Sequence, residues 1–272
     1  MTVINFIRAV IYGIIQGITE WLPISSTGHL ILANEIPFLK LDGISKDFFN
    51  MFIVVIQLAS ILAVILIYFK KLNPFTKKGL KKETMQMWYK VIIGVIPAAA
   101  AGFLLDDFIS SKINDNPFVI AGALIVYGIL FIVIENRKQQ PKITSIDALT
   151  NKTALLIGVF QVLALIPGTS RSGSTILGAI ILGTSRTVAA EFSFFLAIPV
   201  MFGASLLKVV KYGLAFESAE LFVLAVGFLT SFAVSYFAIK FLVSYIKRHD
   251  FKVFGYYRII LGIIVTAYFL LK

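Results

Sequence analysis

The chain of 272 residues contains no cysteine, only two histidines and few charged residues. Without cysteine there is neither a disulfide framework nor a thiolate-bound metal. The two histidines, His29 and His249, are too few for a histidine-rich metal cage. Charged residues make up 14% of the sequence and hydrophobic residues 58%, and the mean hydropathy is +0.91. A soluble domain of this length needs a larger polar surface, so the composition predicts an integral membrane protein.

The net charge of +11 suits a nucleic-acid-binding protein, but a membrane protein explains it more simply. Lysine and arginine concentrate in the cytoplasmic loops of membrane proteins. We therefore expect membrane lipid, and no nucleic acid, as the partner. The N-terminal stretch includes Arg8 but lacks a small-residue cleavage site, which favours a retained segment over a removed signal peptide.

Six apolar segments have the length of a membrane-spanning helix, which is about 20 residues. They cover roughly 49–69, 86–105, 117–135, 187–208, 221–243 and 253–271. Two further apolar stretches, 1–35 and 153–184, are interrupted by proline, glycine and small hydroxyl residues. Because unpaired backbone groups are costly in hydrocarbon, we predict two re-entrant helix–loop–helix hairpins with polar tips buried in the protein. The predicted fold class is an all-α polytopic membrane protein.

The distribution of basic residues predicts the orientation in the membrane. Loops 70–90, 136–152 and 244–252 are rich in lysine and arginine, whereas 105–116 contains three aspartates beside one lysine. By the positive-inside rule the three basic loops are cytoplasmic. The C-terminus then lies outside, the first hairpin enters from the outer side, and the second enters from the cytoplasm. Their tips would meet near the middle of the membrane.

The two interrupted stretches also indicate an internal repeat. Segments 13–23 and 158–167 each place a glutamine three residues after a glycine, followed by a proline and a run of small hydroxyl residues. Each half, about 1–135 and 153–272, then holds one hairpin and three spans, with the cytoplasmic linker 136–152 between them. Because three is odd, the halves lie in opposite orientations, as in the inverted repeats of many transporters.

Polar residues in the two hairpins are the candidates for chemistry, because ionisable groups within apolar segments are costly. The first hairpin contributes Gln16, Glu20, Ser25, Ser26, Thr27 and His29. The second contributes Ser170, Arg171, Ser172 and Thr175. Arginine binds phosphate with a bidentate fork, and a hydroxyl-rich turn that opens a helix presents N–H groups to an anion. Together these groups suit phosphoryl transfer with a hard cation.

Each candidate also has a structural interpretation. Glu20 can serve as the partner of a buried arginine, and His29 can satisfy a carbonyl at the hairpin tip. For Ser25 and Thr27, which follow a proline, capping of a helix is the commoner role. Arg171 is the hardest to explain in this way, because an unpaired arginine at membrane depth is expensive.

Two runs of sequence carry a family resemblance. They are Gln16-x-x-x-Glu20 followed by Trp-Leu-Pro-Ile-Ser-Ser-Thr-Gly-His29, and Pro167-Gly-Thr-Ser-Arg-Ser-Gly-Ser-Thr175. Together they resemble the signatures of the undecaprenyl-diphosphate phosphatase family associated with bacitracin resistance, and the likeness in length and segment order spans the chain. The resemblance implies interlocked inverted repeats in the bacterial cytoplasmic membrane. It also implies hydrolysis of a C55 isoprenyl diphosphate to the monophosphate that carries cell-wall precursors.

By motif position, the resemblance also implies roles for individual residues. Glu20 would be the essential carboxylate, acting on a divalent cation or as a base. Ser26 would be the nucleophile, His29 its acid/base partner and Arg171 the phosphate clamp. Substrate-binding side chains would be Gln16, Ser25, Thr27, Ser170, Ser172 and Thr175. Gln16 fills a position that is glutamate in some relatives, so Mg²⁺ or Ca²⁺ would depend on oxygens of the substrate.

Several alternatives stay open at this point. Ser26 could form a phosphoseryl intermediate, or a water activated by Glu20 or His29 could attack directly. A transporter or flippase of an anionic polyprenyl phosphate lipid would suit an inverted repeat, but it needs no nucleophile beside an acid/base pair. A structural scaffold does not account for two buried polar hairpins. We expect a phosphatase whose site opens to the outer face; a homodimer and the preferred chain length stay undecided.

Overall fold

The computed structural model describes residues 3–41, 43–77, 79–112, 116–137, 139–213 and 216–272, with backbone alone for 106–112. Several residues that entered the orientation argument lie outside the described side chains: Lys78, Asp106, Asp107, Lys112, Asp115 and Lys138. The described chain is almost entirely helical. Its β structure there consists of one short antiparallel hairpin in the basic loop, formed by β1 (Phe75–Thr76) and β2 (Gly79–Leu80), and an isolated parallel bridge between Ile143 and Thr184.

Eleven α-helices follow one another along the described chain. They are α1 (Val3–Thr19), α2 (Ser26–Glu35), α3 (Lys46–Ile67), α4 (Phe69–Leu72), α5 (Lys82–Lys112), α6 (Pro117–Asn136), α7 (Asn151–Val162), α8 (Arg171–Ile181), α9 (Arg186–Tyr212), α10 (Ser218–Ile246) and α11 (Lys252–Leu271). Two 3-10 turns, Pro37–Leu39 and Leu163–Leu165, follow α2 and α7.

Six of these helices are long and apolar enough to cross a membrane: α3, α5 over Lys82–Leu105, α6, α9, α10 and α11. The six predicted spans are therefore confirmed, with ends that differ by a few residues. The helices extend past the apolar segments because their polar ends also favour helix. In α5, for example, Lys82 and Glu83 are good helix formers, and the acidic Glu83 suits the first turn.

Both interrupted stretches are broken helices. The first consists of α1 and α2 with a break at 20–25. The second consists of α7 and α8 with a break at 163–170, which ends at Ser170. This is the predicted helix–loop–helix form, while re-entry into the membrane stays a prediction. Hydrophobic residues around Trp21, Phe194 and Leu177 form the main buried core, which lies next to the two breaks.

The two breaks end in the same backbone conformation. Ser25 and Ser170 have φ values of 73° and 72°, in the left-handed region that costs a non-glycine residue about 1–3 kcal/mol. Each then caps the following helix, because its hydroxyl accepts a hydrogen bond from the amide of Gly28 or Gly173. Matching conformations at matching positions agree with a repeat, although the two complete halves stay a prediction.

Close glycine contacts fix the hairpins between the spans. A Cβ on Gly13 in α1 would lie 2.7 Å from Thr230 in α10, and a Cβ on Gly158 in α7 would lie 2.1 Å from the carbonyl of Gly94 in α5. Small residues allow such close packing of helices in membranes. The first hairpin is therefore held by the second half of the chain, and the second hairpin by the first half.

Candidate active site

Two charged side chains from the different breaks meet inside the protein. Glu20 follows α1 and Arg171 begins α8; Arg171 Nη2 lies 3.1 Å from Glu20 Oε1. The side chains are only 12% exposed for Arg171 and 7% for Glu20. Removing one partner of such a buried pair leaves an uncompensated charge, at a cost of about 3–5 kcal/mol. The ion pair therefore joins the two breaks, which meet as the sequence predicted.

Two other predicted residues hold Glu20 in place. The Gln16 amide donates from Nε2 to Glu20 Oε2 at 3.0 Å, one helical turn earlier on α1. The Ser172 hydroxyl donates to the backbone carbonyl of Glu20 at 3.1 Å. Each carboxylate oxygen of Glu20 thus has one donor. Gln16 Oε1 is buried without a partner among the described residues.

Arg171 is held from the opposite side by α9. Its Nη1 donates to the carbonyl of Ser193 at 2.9 Å, and the hydroxyls of Ser193 and Thr175 are 2.6 Å apart. The Thr175 hydroxyl in turn donates to the Arg171 carbonyl at 2.9 Å. The guanidinium also lies 5.7 Å from the centroid of the Trp21 ring, a favourable cation–π geometry.

A cavity of about 160 Å³ opens beside this ion pair. Its polar lining includes five predicted site residues: Glu20, Ser26, Thr27, Ser170 and Arg171. The apolar part of the lining comes from Met201 and residues of the second break. Sites for whole drug-sized ligands are about 300–1,000 Å³, so this cavity suits a headgroup and not a lipid tail.

Ser26 is the first residue of α2 and is half-buried in the cavity lining. No described residue forms a hydrogen bond with its hydroxyl. Of the predicted acid/base groups, Glu20 shares the cavity with Ser26 and His29 does not. This hydroxyl is therefore available to a ligand, and the carboxylate is the acid/base group in the same cavity.

The side chains of His29 and Ser25 form hydrogen bonds within the protein. His29 Nδ1 lies 2.7 Å from the Ser25 carbonyl and must donate to it, so Nε2 of the neutral ring accepts from the Tyr257 hydroxyl at 2.6 Å. His29 therefore forms no hydrogen bond with Ser26, its predicted acid/base partner, in this structure. Ser25 caps α2. A catalytic or binding role for either residue stays a prediction.

Three side chains that surround the breaks are absent from the residues predicted from the sequence. Gln57, in the middle of α3, lines the cavity; Ser193 binds Arg171; and Arg258 in α11 contacts both breaks. A polar residue within an apolar span is a functional signal, and this criterion finds Gln57 and Arg258. A serine on a helix gives no such signal, so Ser193 could be found only from the structure.

A larger cavity of about 810 Å³ adjoins the first, and both are lined by Thr27 and Gln57. Its walls combine apolar side chains with polar ones: Leu30, Ile31, Leu41, Ile44, Phe49, Ile53, Ile120 and Phe269, with Asn34, Glu35, Lys40, Lys46 and Asn50. At the rim, a hydrogen bond from Lys272 lowers the pKa of the Glu35 carboxyl below its usual value. A polar headgroup and an apolar chain can both be accommodated here.

The fold and this site define a multi-pass α-helical membrane protein with a buried polar cavity suited to a phosphate group. Residues 9–264 match the model of a protein family described as "Bacitracin resistance protein BacA". The chain belongs to this family.

Curated relatives match the chain over nearly its whole length. It is 58% identical over 273 residues to undecaprenyl-diphosphatase 1 of Clostridioides difficile, covering 99% of this chain and 98% of the relative. It is 57% identical to the undecaprenyl-diphosphatase of Acetivibrio thermocellus, covering 98% of both chains. It is 56% identical to that of Enterococcus faecalis, again covering 98% of both.

Proposed function

We propose that the protein hydrolyses undecaprenyl diphosphate to undecaprenyl phosphate and inorganic phosphate, and so recycles the lipid carrier of cell-wall synthesis. The observation that carries the proposal is the cavity lined by Arg171, Glu20 and Ser26, whose hydroxyl forms no hydrogen bond with any described residue. Full-length relatives that share more than half of its residues carry the name of this activity. An arginine clamp, a nucleophile and a carboxylate are the groups this reaction needs.

The chain's own residues suggest the order of events. Arg171 and the amides at the start of α8 bind the terminal phosphate, as a helix N-terminus binds anions. Ser26 Oγ attacks the terminal phosphorus, the bond to the bridging oxygen breaks, and undecaprenyl phosphate leaves with the proton that Glu20 took from Ser26. Water then attacks the phosphoserine, and inorganic phosphate leaves as the Ser26 hydroxyl is restored. Direct attack by water, with Ser26 only binding substrate, is the alternative route.

A divalent cation fits this cavity if the substrate supplies ligands. Glu20 is the carboxylate in the cavity, and the described residues form no cluster of three or more potential metal-ligating side chains. The orphaned Gln16 Oε1 offers a second oxygen nearby. Mg²⁺ commonly binds through one or two carboxylates with waters and substrate phosphates. Bound there, Mg²⁺ or Ca²⁺ would neutralise charge on the diphosphate.

The larger cavity supports access from the outer side of the bacterial cytoplasmic membrane. It is lined by Ser45 and Lys46 at the start of α3, and the other end of α3 leads into the basic loop 70–90. If that loop is cytoplasmic, as its charge predicts, the cavity opens on the opposite side. Lys40 and Lys46 would attract the diphosphate, and the apolar wall would accept the first isoprene units.

Phosphate release from a C55 or C15 prenyl diphosphate by detergent-purified protein tests this proposal, with and without EDTA. We expect release that depends on the divalent ion and is abolished by Glu20→Gln, Ser26→Ala and Arg171→Ala. Glu83→Gln and Arg248→Ala change exposed residues that do not line the cavity and should keep wild-type activity. Wild-type protein that binds the lipid but releases no phosphate with Mg²⁺ or Ca²⁺ would favour the transporter instead.

A further inference from the structure

Arg258 is a buried cation outside both sequence motifs. It lies in α11, its exposure is 0%, and it is among the largest fully buried side chains. Among the described residues it contacts no carboxylate. A buried charge needs compensation, so its partners show what it does.

Backbone carbonyls compensate Arg258, and they come from both breaks. Nη1 donates to the Pro23 carbonyl at 3.1 Å, and Nη2 donates to the Gly168 and Thr169 carbonyls at 2.9 Å each. Longer contacts of 3.5 Å reach the Ala123 and Leu124 carbonyls in α6. A planar guanidinium with five N–H donors can join several carbonyls in this way, while a lysine ammonium cannot span the same set.

The carbonyls that Arg258 contacts in the breaks lie one or two residues before the two strained serines. Pro23 is two residues before Ser25, and Thr169 is the residue before Ser170. A Cβ on Gly173, in the first turn of α8, would lie 3.2 Å from Arg258 Nη1. The guanidinium thus supports the backbone from which α2 and α8 begin.

We propose that Arg258 is a positioning residue for phosphoryl transfer. It fixes the two breaks relative to each other, so that Ser26 at the start of α2 and Arg171 at the start of α8 face the same phosphate. Arg258 does not line the cavity, so it acts through these two residues and touches no substrate. This inference rests on the proposed phosphatase function.

Kinetics of Arg258→Met and Arg258→Lys test the proposal, with a C15 prenyl diphosphate as substrate. Misplacement of catalytic groups by about 1 Å costs on the order of 100-fold in rate, so we expect kcat of Arg258→Met to fall by about that factor. KM should change little, because Arg171 and the lysines of the larger cavity remain. Arg258→Lys keeps the charge but not the fork, and its kcat should lie between the two.

Arg8→Met is the matched control. Arg8 is also buried, at 6% exposure, and also donates to a backbone carbonyl, that of Phe38. It belongs to the first half of α1, away from the breaks. Its loss should leave the kcat of the folded protein near wild type. Activity is normalised to the monodisperse fraction in gel filtration, so that unfolding does not count as a loss of kcat.

A second measurement reports on position without activity. The chain has no cysteine, so Leu22→Cys and Ile166→Cys put one spin label at each break, and the distance distribution between them can be measured. We expect a broader distribution in Arg258→Met than in the wild-type background. If the chain proves not to be a phosphatase, this distribution alone decides whether Arg258 orders the breaks.

The proposal is overturned by a folded Arg258→Met with wild-type kcat, or by an unchanged label distribution. It is also overturned if Arg8→Met loses as much kcat as Arg258→Met. Should Arg258→Met fail to fold, a folded Arg258→Lys with wild-type kcat gives the same refutation.

Discussion

The ion pair between Glu20 and Arg171 can be separated into structural and catalytic parts by removing its partners singly and together. Arg171→Ala leaves Glu20, at 7% exposure, with the Gln16 amide as its only side-chain donor among the described residues. An uncompensated buried charge costs about 3–5 kcal/mol, so we expect a large loss of unfolding free energy. Glu20→Gln should cost less, because Arg171 keeps the Ser193 carbonyl and the Trp21 ring.

The double variant Glu20→Gln/Arg171→Met removes both charges and fills much of the same volume. Replacement of a buried pair by uncharged groups is often neutral, so this protein should recover most of the stability that Arg171→Ala loses. Its phosphatase activity should still be absent, since both the clamp and the base are gone. Thermal unfolding in one detergent, beside phosphate release, measures both quantities.

The structural and catalytic roles of the pair are separated by comparing the stability and the activity of the single and double variants. Stability recovered without activity means that the two charges are kept for chemistry and not for folding. If the double variant were no more stable than Arg171→Ala, the estimate of an uncompensated Glu20 charge would be wrong. If it were active, the proposed site would be wrong.

Three further predictions, each with a comparison variant, follow from the same geometry. Gln57→Leu removes an amide that lines both cavities. The loss of one hydrogen bond to the substrate, worth about 0.5–1.5 kcal/mol, should raise the KM for prenyl diphosphate about two- to tenfold. Gln140→Leu in the linker should leave KM unchanged. Gly158→Ala puts a methyl group 2.1 Å from the Gly94 carbonyl and should destabilise the protein by about 1–3 kcal/mol, as measured by thermal unfolding. Gly203→Ala should not destabilise it, because a Cβ at Gly203 would have no described atom within 4 Å. Ser25→Ala removes the cap of α2 and should lower the free energy of unfolding by about 1 kcal/mol. Ser25→Gly should cost less, because glycine tolerates a φ of 73°. Equal losses of unfolding free energy in the two variants would show that backbone strain at this position is unimportant.

The sequence predicts what depends on local composition. Hydropathy locates the six spans, and the proline, glycine and serine runs locate the two breaks. The meeting of Glu20 with Arg171 is also predictable, because two opposite charges at depth in an apolar protein need each other. These inferences require no knowledge of how the helices are rotated.

What depends on the rotation of a helix about its axis is not predictable in the same way. The family resemblance predicts that His29 is the acid/base partner of Ser26, but the first turn of α2 directs the His29 ring to Tyr257 in α11. Gln57 lies on the face of α3 that lines the cavity, and a single sequence does not show which face that is. The left-handed conformations of Ser25 and Ser170 also escape prediction, since serine rarely adopts them.

The two buried arginines near the breaks differ in the donors they leave free. Arg258 donates to carbonyls from Nε, Nη1 and Nη2, so it has little left for a ligand and suits a fixed support. Arg171 donates from Nη1 and Nη2, but its Nε has no partner in the described part of the chain. One of its contacts is to the Glu20 carboxylate, which an incoming phosphate can replace as acceptor. The arginine that lines the cavity is therefore the one whose hydrogen bonds can be exchanged, and that difference supports its role as the phosphate clamp.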